Sequence, residues 1–179
     1  MKNMSIKRKI MALSVSALLT VFSTTASAAV DMFIKIGDVE GESQHADHRG
    51  AIDVLAWSWG VSSEGQRNNR GGACVDGLSL TKWIDKASGE LMMSVVANQS
   101  FPEATLTITR QGERPIDYLT ITLRNVSVSS VSTGGSSGQD RLTESVTLNF
   151  EVAEWVYTEQ RPDGRPGSSS TSTIYGNCR

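Results

Sequence analysis

From Tyr118 to Tyr157 the chain runs through two long stretches of strand-like alternation, separated by a Gly/Ser-rich bend at Thr133–Gln139. In the second stretch Leu142, Val146, Leu148, Phe150, Val152 and Val156 share one parity, while Glu144, Thr147, Asn149 and Glu151 add the polar character of a face that meets water or a partner. A period of two predicts a half-buried strand. At about 3.3 Å per residue Leu142–Tyr157 would span on the order of 50 Å, against a usual strand of about 5–6 residues. Such a strand must bend, change sheets, or be shared with another subunit. The first stretch shifts phase: Leu119, Ile121 and Leu123 are odd, Val126 and Val128 even. That shift predicts a bulge or sheet crossing near Arg124–Asn125.

The same reading places a strand at Val30–Ile36, then a polar, Gly-punctuated connection, loop or loosely ordered, over Gly37–Gly50. A second strand, Ala51–Gly60, carries Ile52 and Val54 on one face and Leu55, Trp57 and Trp59 on the other, which predicts cover on both sides. Val61–Ala73 reads as an exposed loop, and Cys74–Ile84 returns to strand character. One helix is predicted at about Ser88–Asn98, with Ser88 as N-cap, Glu90 in the first turn, and a core-facing stripe of Leu91, Met92, Val95 and Val96. Its methionines read as core packing. Strands at Ala104–Arg110 and Ile116–Val131 flank a turn, and Thr158–Arg179 reads as a loop-rich tail with one short final strand. The sum is a mainly β domain, a two-sheet barrel or sandwich with one flanking helix.

Residues 1–28 stand apart. Lys2, Lys7, Arg8 and Lys9 precede an apolar run, Ile10–Phe22, and Ala26-Ser27-Ala28 supplies small residues before Ala29. That is the layout of a signal peptide cleaved between Ala28 and Ala29, with an apolar run too short for an ordinary membrane span. Residues 29–179 are then the domain, with no membrane insertion expected after processing. The leader holds four of the 17 Lys and Arg and none of the 19 Asp and Glu, so the remainder carries −6 where the whole chain carries −2. An acidic domain of this kind argues against nucleic acid as a partner. In an oxidising compartment Cys74 and Cys178 read as a possible disulfide, within one subunit or between two.

Candidate chemistry is sparse. His45, Asp47 and His48, the group HADH, lack the spacing of a metalloprotease helix and mark no third ligand, so the favoured reading is a solvated loop. Ser43 has no nucleophile elbow around it. Gly134–Gly138 lacks the Lys-Ser/Thr of a phosphate loop and sits between strands. No catalytic residue, cofactor or metal is predicted.

Several stretches in order, AVDMFIKIGDVEGES (Ala29–Ser43), AIDVLAWSWG (Ala51–Gly60), LSLTKWIDKASGELM (Leu78–Met92), YLTITL (Tyr118–Leu123) and VSSVSTGGSSGQDRLTESVTLNF (Val128–Phe150), resemble the haemolysin-coregulated protein (Hcp) family, the tube protein of bacterial type VI secretion. The resemblance covers nearly all of Ala29–Tyr157. It implies a β-barrel that assembles as a homohexamer, rings that stack into a hollow tube inside a sheath and behind a spike protein, and small effectors carried in the lumen. It also implies subunit contacts, for which Trp57, Trp59, Gly134, Gly135, Asp140 and Arg141 are the predicted residues. The signal peptide departs from that pattern, since family members wait in the cytoplasm before export, whereas this leader addresses the chain to a periplasmic or secreted location. The alternative is an exported, disulfide-closed monomeric β-domain that binds a ligand or surface. A hydrolase or metalloenzyme using His45 and His48 is the third reading.

Overall fold

The two long alternating runs bend together. In the computed structural model, which describes residues 29–63, 73–112 and 114–176, the first run is a single strand, β7 (Ile116–Gly134). The second is broken at Phe150–Glu151 into β8 (Thr143–Asn149) and β9 (Val152–Gln160). The Ser127–Gly134 half of β7 pairs with β8, and the Leu119–Arg124 half pairs with β9. Between the halves Asn125 has φ 52°, so the predicted phase shift is the point at which β7 changes partner. The single strand predicted over Leu142–Tyr157 is thus two strands. Its parity flips at the break: Val146, Leu148 and Phe150 are buried before it, Ala153 after it.

The other described elements are β1 (Val30–Ile36), β2 (Ile52–Ser58), β3 (Val61–Ser63), β4 (Ala73–Val75), β5 (Leu78–Trp83), α1 (Ala87–Val96), β6 (Ser100–Arg110) and β10 (Pro166–Tyr175). The strand order is β10-β9-β7-β6-β1-β2-β5-β8, and the further pairing of β8 with β7 closes β7, β6, β1, β2, β5 and β8 into a six-stranded barrel. Strands β9 and β10 extend the wall beyond it. Every ladder among the described residues is antiparallel, so short turns suffice for most connections. The barrel is filled by one cluster that includes Ile34, Ile52, Leu80, Leu106, Ile121 and Leu148.

Several expectations need correcting. The ladder of β3 with β4 occupies the two ends of the predicted loop Val61–Ala73. The predicted loop-rich tail is a full strand, β10, because β9 offers it an unpaired edge and the turn Arg161–Arg165 is closed by two backbone bonds, with Gly164 at φ 76°. Strand β2 buries Ile52 and Val54 as expected but leaves Leu55 36 % exposed and Ala56 exposed too, so its second face is covered only in part. Ser88 lies inside the first turn of α1; the N-cap position is Lys86, without a side-chain capping bond. The buried helix face is Ala87, Ser88, Leu91 and Ser94. These small residues let the helix approach the barrel closely, and Met92 and Met93 point outward, Met93 with 63 % of its surface exposed.

The connection after β1 is ordered rather than loose. Gly41, Ser43, Gly50 and Ala51 exchange backbone hydrogen bonds across it. His45 and His48 fold over Phe33, with ring centroids 4.9 Å and 4.5 Å away. Phe33 has the parity opposite to Ile34 and would otherwise face water, so the loop gives it cover. Lys86 ties the loop to the helix: its Nζ lies 2.9 Å from Glu40 Oε2, and its backbone N–H donates to Glu42 Oε1.

Candidate functional site

Two groups of the predicted contact residues emerge as separate surfaces. Trp57 and Trp59, at the end of β2 and just beyond it, meet Trp155 of β9 at centroid distances of 6.1 Å each, and Trp59 also stands edge-on to Phe150 at 5.6 Å. The Trp59 indole N–H donates to the Asp76 carbonyl at 2.9 Å. Aromatic pairs of this kind gain about 0.5–1.5 kcal/mol beyond their area, so the cluster splints β2 to β9 across the Phe150 corner. Leu55 and Tyr157, on the same two strands, remain substantially exposed.

The second group is the tip of the β7–β8 hairpin. Gly134 pairs with Thr143, Asp140 and Arg141 are exposed, and the Arg141 guanidinium lies 4.7 Å from the Trp83 ring centroid. Gly135 is needed for space: a Cβ there would come within 2.4 Å of Leu142 Cδ2. Trp57 is in register with Leu80, whereas the hairpin tip sits beside Trp83, farther along β5.

Beneath that tip lies a charged cluster that the strand reading missed. Lys82 Nζ donates to Asp85 Oδ1, Glu144 Oε1 and the Trp83 carbonyl, each at 2.7 Å. Ser88 Oγ–H donates to Glu144 Oε1 at 2.8 Å, and Asp85 Oδ1 takes the Ala87 N–H at the helix start. The side chains of Lys82 and Glu144 are 1 % and 0 % exposed. Glu144 therefore belongs to the buried face and not to the polar one where it was expected. The parity signal was available: Lys82 continues Leu78 and Leu80, and Glu144 precedes Val146 and Leu148. Together these groups clamp the start of α1 onto β5 and β8.

His45 and His48 are packing residues as well as loop residues. His48 Nε2 faces Asp117 Oδ1 at 3.6 Å, and Gln111 bridges Asp31 to His45. Among the described residues no group of three or more His, Cys, Asp or Glu could hold a metal ion. Cys74 is disulfide-bonded. Cys178, like Ala28 and the rest of residues 1–28, lies outside the described residues.

A closed antiparallel barrel with, among the described residues, one helix is the frame for comparison with known families. The family model described as "Type VI secretion system effector, Hcp" matches residues 33–157. The chain belongs to the Hcp family. It is 54 % identical over 142 residues to Protein hcp1 of Pseudomonas aeruginosa, covering 76 % of this chain and 88 % of that one. Its fold is similar to that of a solved type six secretion system protein, with a TM-score of 0.77 at 30 % identity, covering 82 % of this chain and 96 % of the other. It also resembles the crystal structure of Hcp1 from Salmonella typhimurium, with a TM-score of 0.71 at 29 % identity over 82 % and 95 % of the two chains. As an Hcp-family member, the chain is a type VI secretion protein of a structural rather than a known enzymatic family. The family match ends at Tyr157, so β10 lies beyond it, whereas Cys74 lies within it.

Proposed function

We propose that the chain is a structural tube subunit, six copies forming a ring and rings stacking into a hollow conduit that carries small effectors. The observation that carries this reading is the family match across the whole barrel, joined to 54 % identity with Protein hcp1. The exposed apolar side chains at Leu55, Val61, Met93 and Tyr157 and the unpaired outer edge of β10 are consistent with neighbours on more than one side. A head-to-tail ring needs two different complementary surfaces on each subunit, and the Trp57–Trp59 region and the hairpin bearing Gly134, Gly135, Asp140 and Arg141 are our choice for them. No catalysis is assigned to the chain. Sheath and spike proteins are the further partners.

Light scattering of the purified chain across micromolar concentrations is expected to give hexamers; monomer at every concentration would sink the reading. Arg141→Glu is expected to shift that equilibrium toward monomer while leaving the unfolding midpoint nearly unchanged, because an exposed cation–π contact is worth only about 0.5–1 kcal/mol.

A second reading, an exported monomeric β-domain that binds a ligand or surface, draws on two observations. Cys74 is disulfide-bonded, and residues 1–28 have the layout of a cleaved leader. We infer a periplasmic or secreted location from that leader. Fractionation with N-terminal sequencing separates the readings of localisation: a periplasmic chain beginning at Ala29 supports the exported form, and an uncleaved cytoplasmic chain supports assembly before type VI export.

A further inference from the structure

Strand β7 lies between β6 and β9, and β10 lies beyond β9, so two connections are brought to one end of the sheet: the one between β6 and β7, with 111–112 and 114–115 as its described residues, and 161–165 between β9 and β10. The registers Arg110 to Ile116 and Gln160 to Pro166 place the ladder ends side by side. Between the turns is a cavity of about 590 Å³, lined by Arg110, Arg114 and Arg165 together with Asp163, Gln111, Gln160 and three small or ring residues. That volume is in the range of ordinary small-molecule sites, about 300–1,000 Å³. Its lining lacks any large apolar side chain, so the chemistry it offers is guanidinium and amide.

The charges there are under-used. Arg110 and Arg114 make no side-chain hydrogen bond or ion pair among the described residues. Arg165 Nε is 3.9 Å from Asp163 Oδ2, with both side chains more than half exposed, a contact at the outer limit for an ion pair. Three other cations are engaged: Lys82 is locked in the buried cluster, Arg124 holds Glu103 at 3.0 Å, and Arg141 lies over Trp83. Even with Glu113 counted against them, a residue outside the described set, three arginines oppose two carboxylates in a chain whose formal charge is −2. Clustered guanidiniums repel one another until an anion sits among them, and each presents a planar fork suited to carboxylate or phosphate oxygens. A concave site of one sign also concentrates counter-ions locally.

We propose that the cavity between the β6–β7 and β9–β10 connections is a binding site for a compact anion bearing two or more carboxylate or phosphate groups, held by Arg110, Arg114 and Arg165. The proposal is independent of the tube reading. It concerns one end of each subunit's sheet, and a failure to form hexamers would leave it standing.

The full purified chain is titrated with pyrophosphate and, separately, with citrate at constant ionic strength, with acetate as the monovalent control. Amide shifts of Gly112 and Gly164 report the site. Saturating shifts with either multivalent anion are expected, weakened at least tenfold in Arg110→Gln and in Arg114→Gln, with acetate non-saturating. The two arms distinguish phosphate from carboxylate recognition. Arg124→Gln removes the same unit of charge at the corner midway along β7 and is expected to leave the affinity within about twofold; matched unfolding curves confirm that all variants fold. Linear shifts equal to those of acetate, or an equal loss in Arg124→Gln, would overturn the proposal by reducing the effect to general electrostatics.

Discussion

The Asn125 side-chain amide donates to Glu151 Oε2 at 2.7 Å, joining the two points at which the long antiparallel pair bends. Backbone bonds reinforce the corner: Glu151 N–H reaches the Arg124 carbonyl at 3.0 Å, and Gly176 N–H reaches the Glu151 carbonyl at 2.8 Å. Barrel closure depends on this corner. Without it β7 would keep one set of partners along its length and could not serve both the barrel seam with β8 and the outer wall with β9.

Asn125 is at φ 52°, a conformation that Asn and Gly tolerate and β-branched residues do not. Asn125→Val is therefore expected to cost about 1–3 kcal/mol. Asn125→Gly, which removes only an exposed hydrogen bond, is expected to cost about 0.5–1.5 kcal/mol at most. Urea unfolding midpoints at constant slope give both values. Equal stability of the two variants would show that the left-handed backbone at this corner is not required.

How much of this could be read in advance depended on which side chains carried the signal. The phase change between Leu123 and Val126 marks the β7 corner, because period two reports the face of every residue. The break at Glu151 is not marked, since Phe150, Val152 and Val156 keep the parity of the preceding strand. Only the pairing with Arg124 and Gly176 stops the strand there. The helix register failed for a related reason: its buried residues are Ala87, Ser88 and Ser94 around a single Leu91, so size and not hydrophobicity selected the buried face. Lys82 and Glu144 stand at buried parity, yet the alternation assigns Glu144 to the polar face and does not mark Lys82, because a buried ion pair makes sense only once both partners are placed. Of the contact residues, Trp57 and Trp59 did join one cluster, through Trp155, which the sequence reading had not singled out.

Among the described residues Lys82 is the one cation paired with Glu144 and Asp85 in that buried cluster. Lys82→Met would strand both carboxylates away from water, and Glu144 Oε2 already finds no hydrogen-bond donor among the described residues. A loss of about 3–5 kcal/mol is expected. The double variant Lys82→Met with Glu144→Leu should recover part of it, because replacing an ion pair by apolar groups avoids the stranded charge. A single-variant cost below about 1 kcal/mol would mean that the cluster is wetter than its geometry indicates.

The Cys74 disulfide should stabilise the chain chiefly by restricting its unfolded state. If its partner is Cys178 of the same chain, the closed loop is roughly 100 residues and the contribution up to about 4–5 kcal/mol. Cys74→Ser is then expected to lower the unfolding midpoint as much as reduction does, and non-reducing electrophoresis to show a single-chain band. A band of twice the mass that disappears on reduction would instead place the bond between subunits.

Glu40 and Lys86 give a pH signature with a definite sign. The hydrogen bond from Lys86, with its charge, holds the Glu40 carboxyl below its ordinary 4.5, and the hydrogen bond with Glu40 holds the Lys86 ammonium above its ordinary 10.5. The contribution of Glu40 to stability is thus complete above 4.5 and lost as pH falls through its lowered folded value. The contribution of Lys86 is complete below 10.5 and lost as pH rises through its raised folded value. Between those limits the pair holds the loop after β1 against the start of α1. Both side chains are solvent-exposed, Lys86 by about half and Glu40 by more, so salt should weaken the effect. Carbon-detected titration of the Glu40 carboxyl is expected to give a midpoint below 4.5 that climbs toward it in Lys86→Met and at high ionic strength. A midpoint indifferent to Lys86→Met would show that the loop and helix are not joined by this pair, leaving the Glu42 contact to the Lys86 backbone N–H as their remaining polar link.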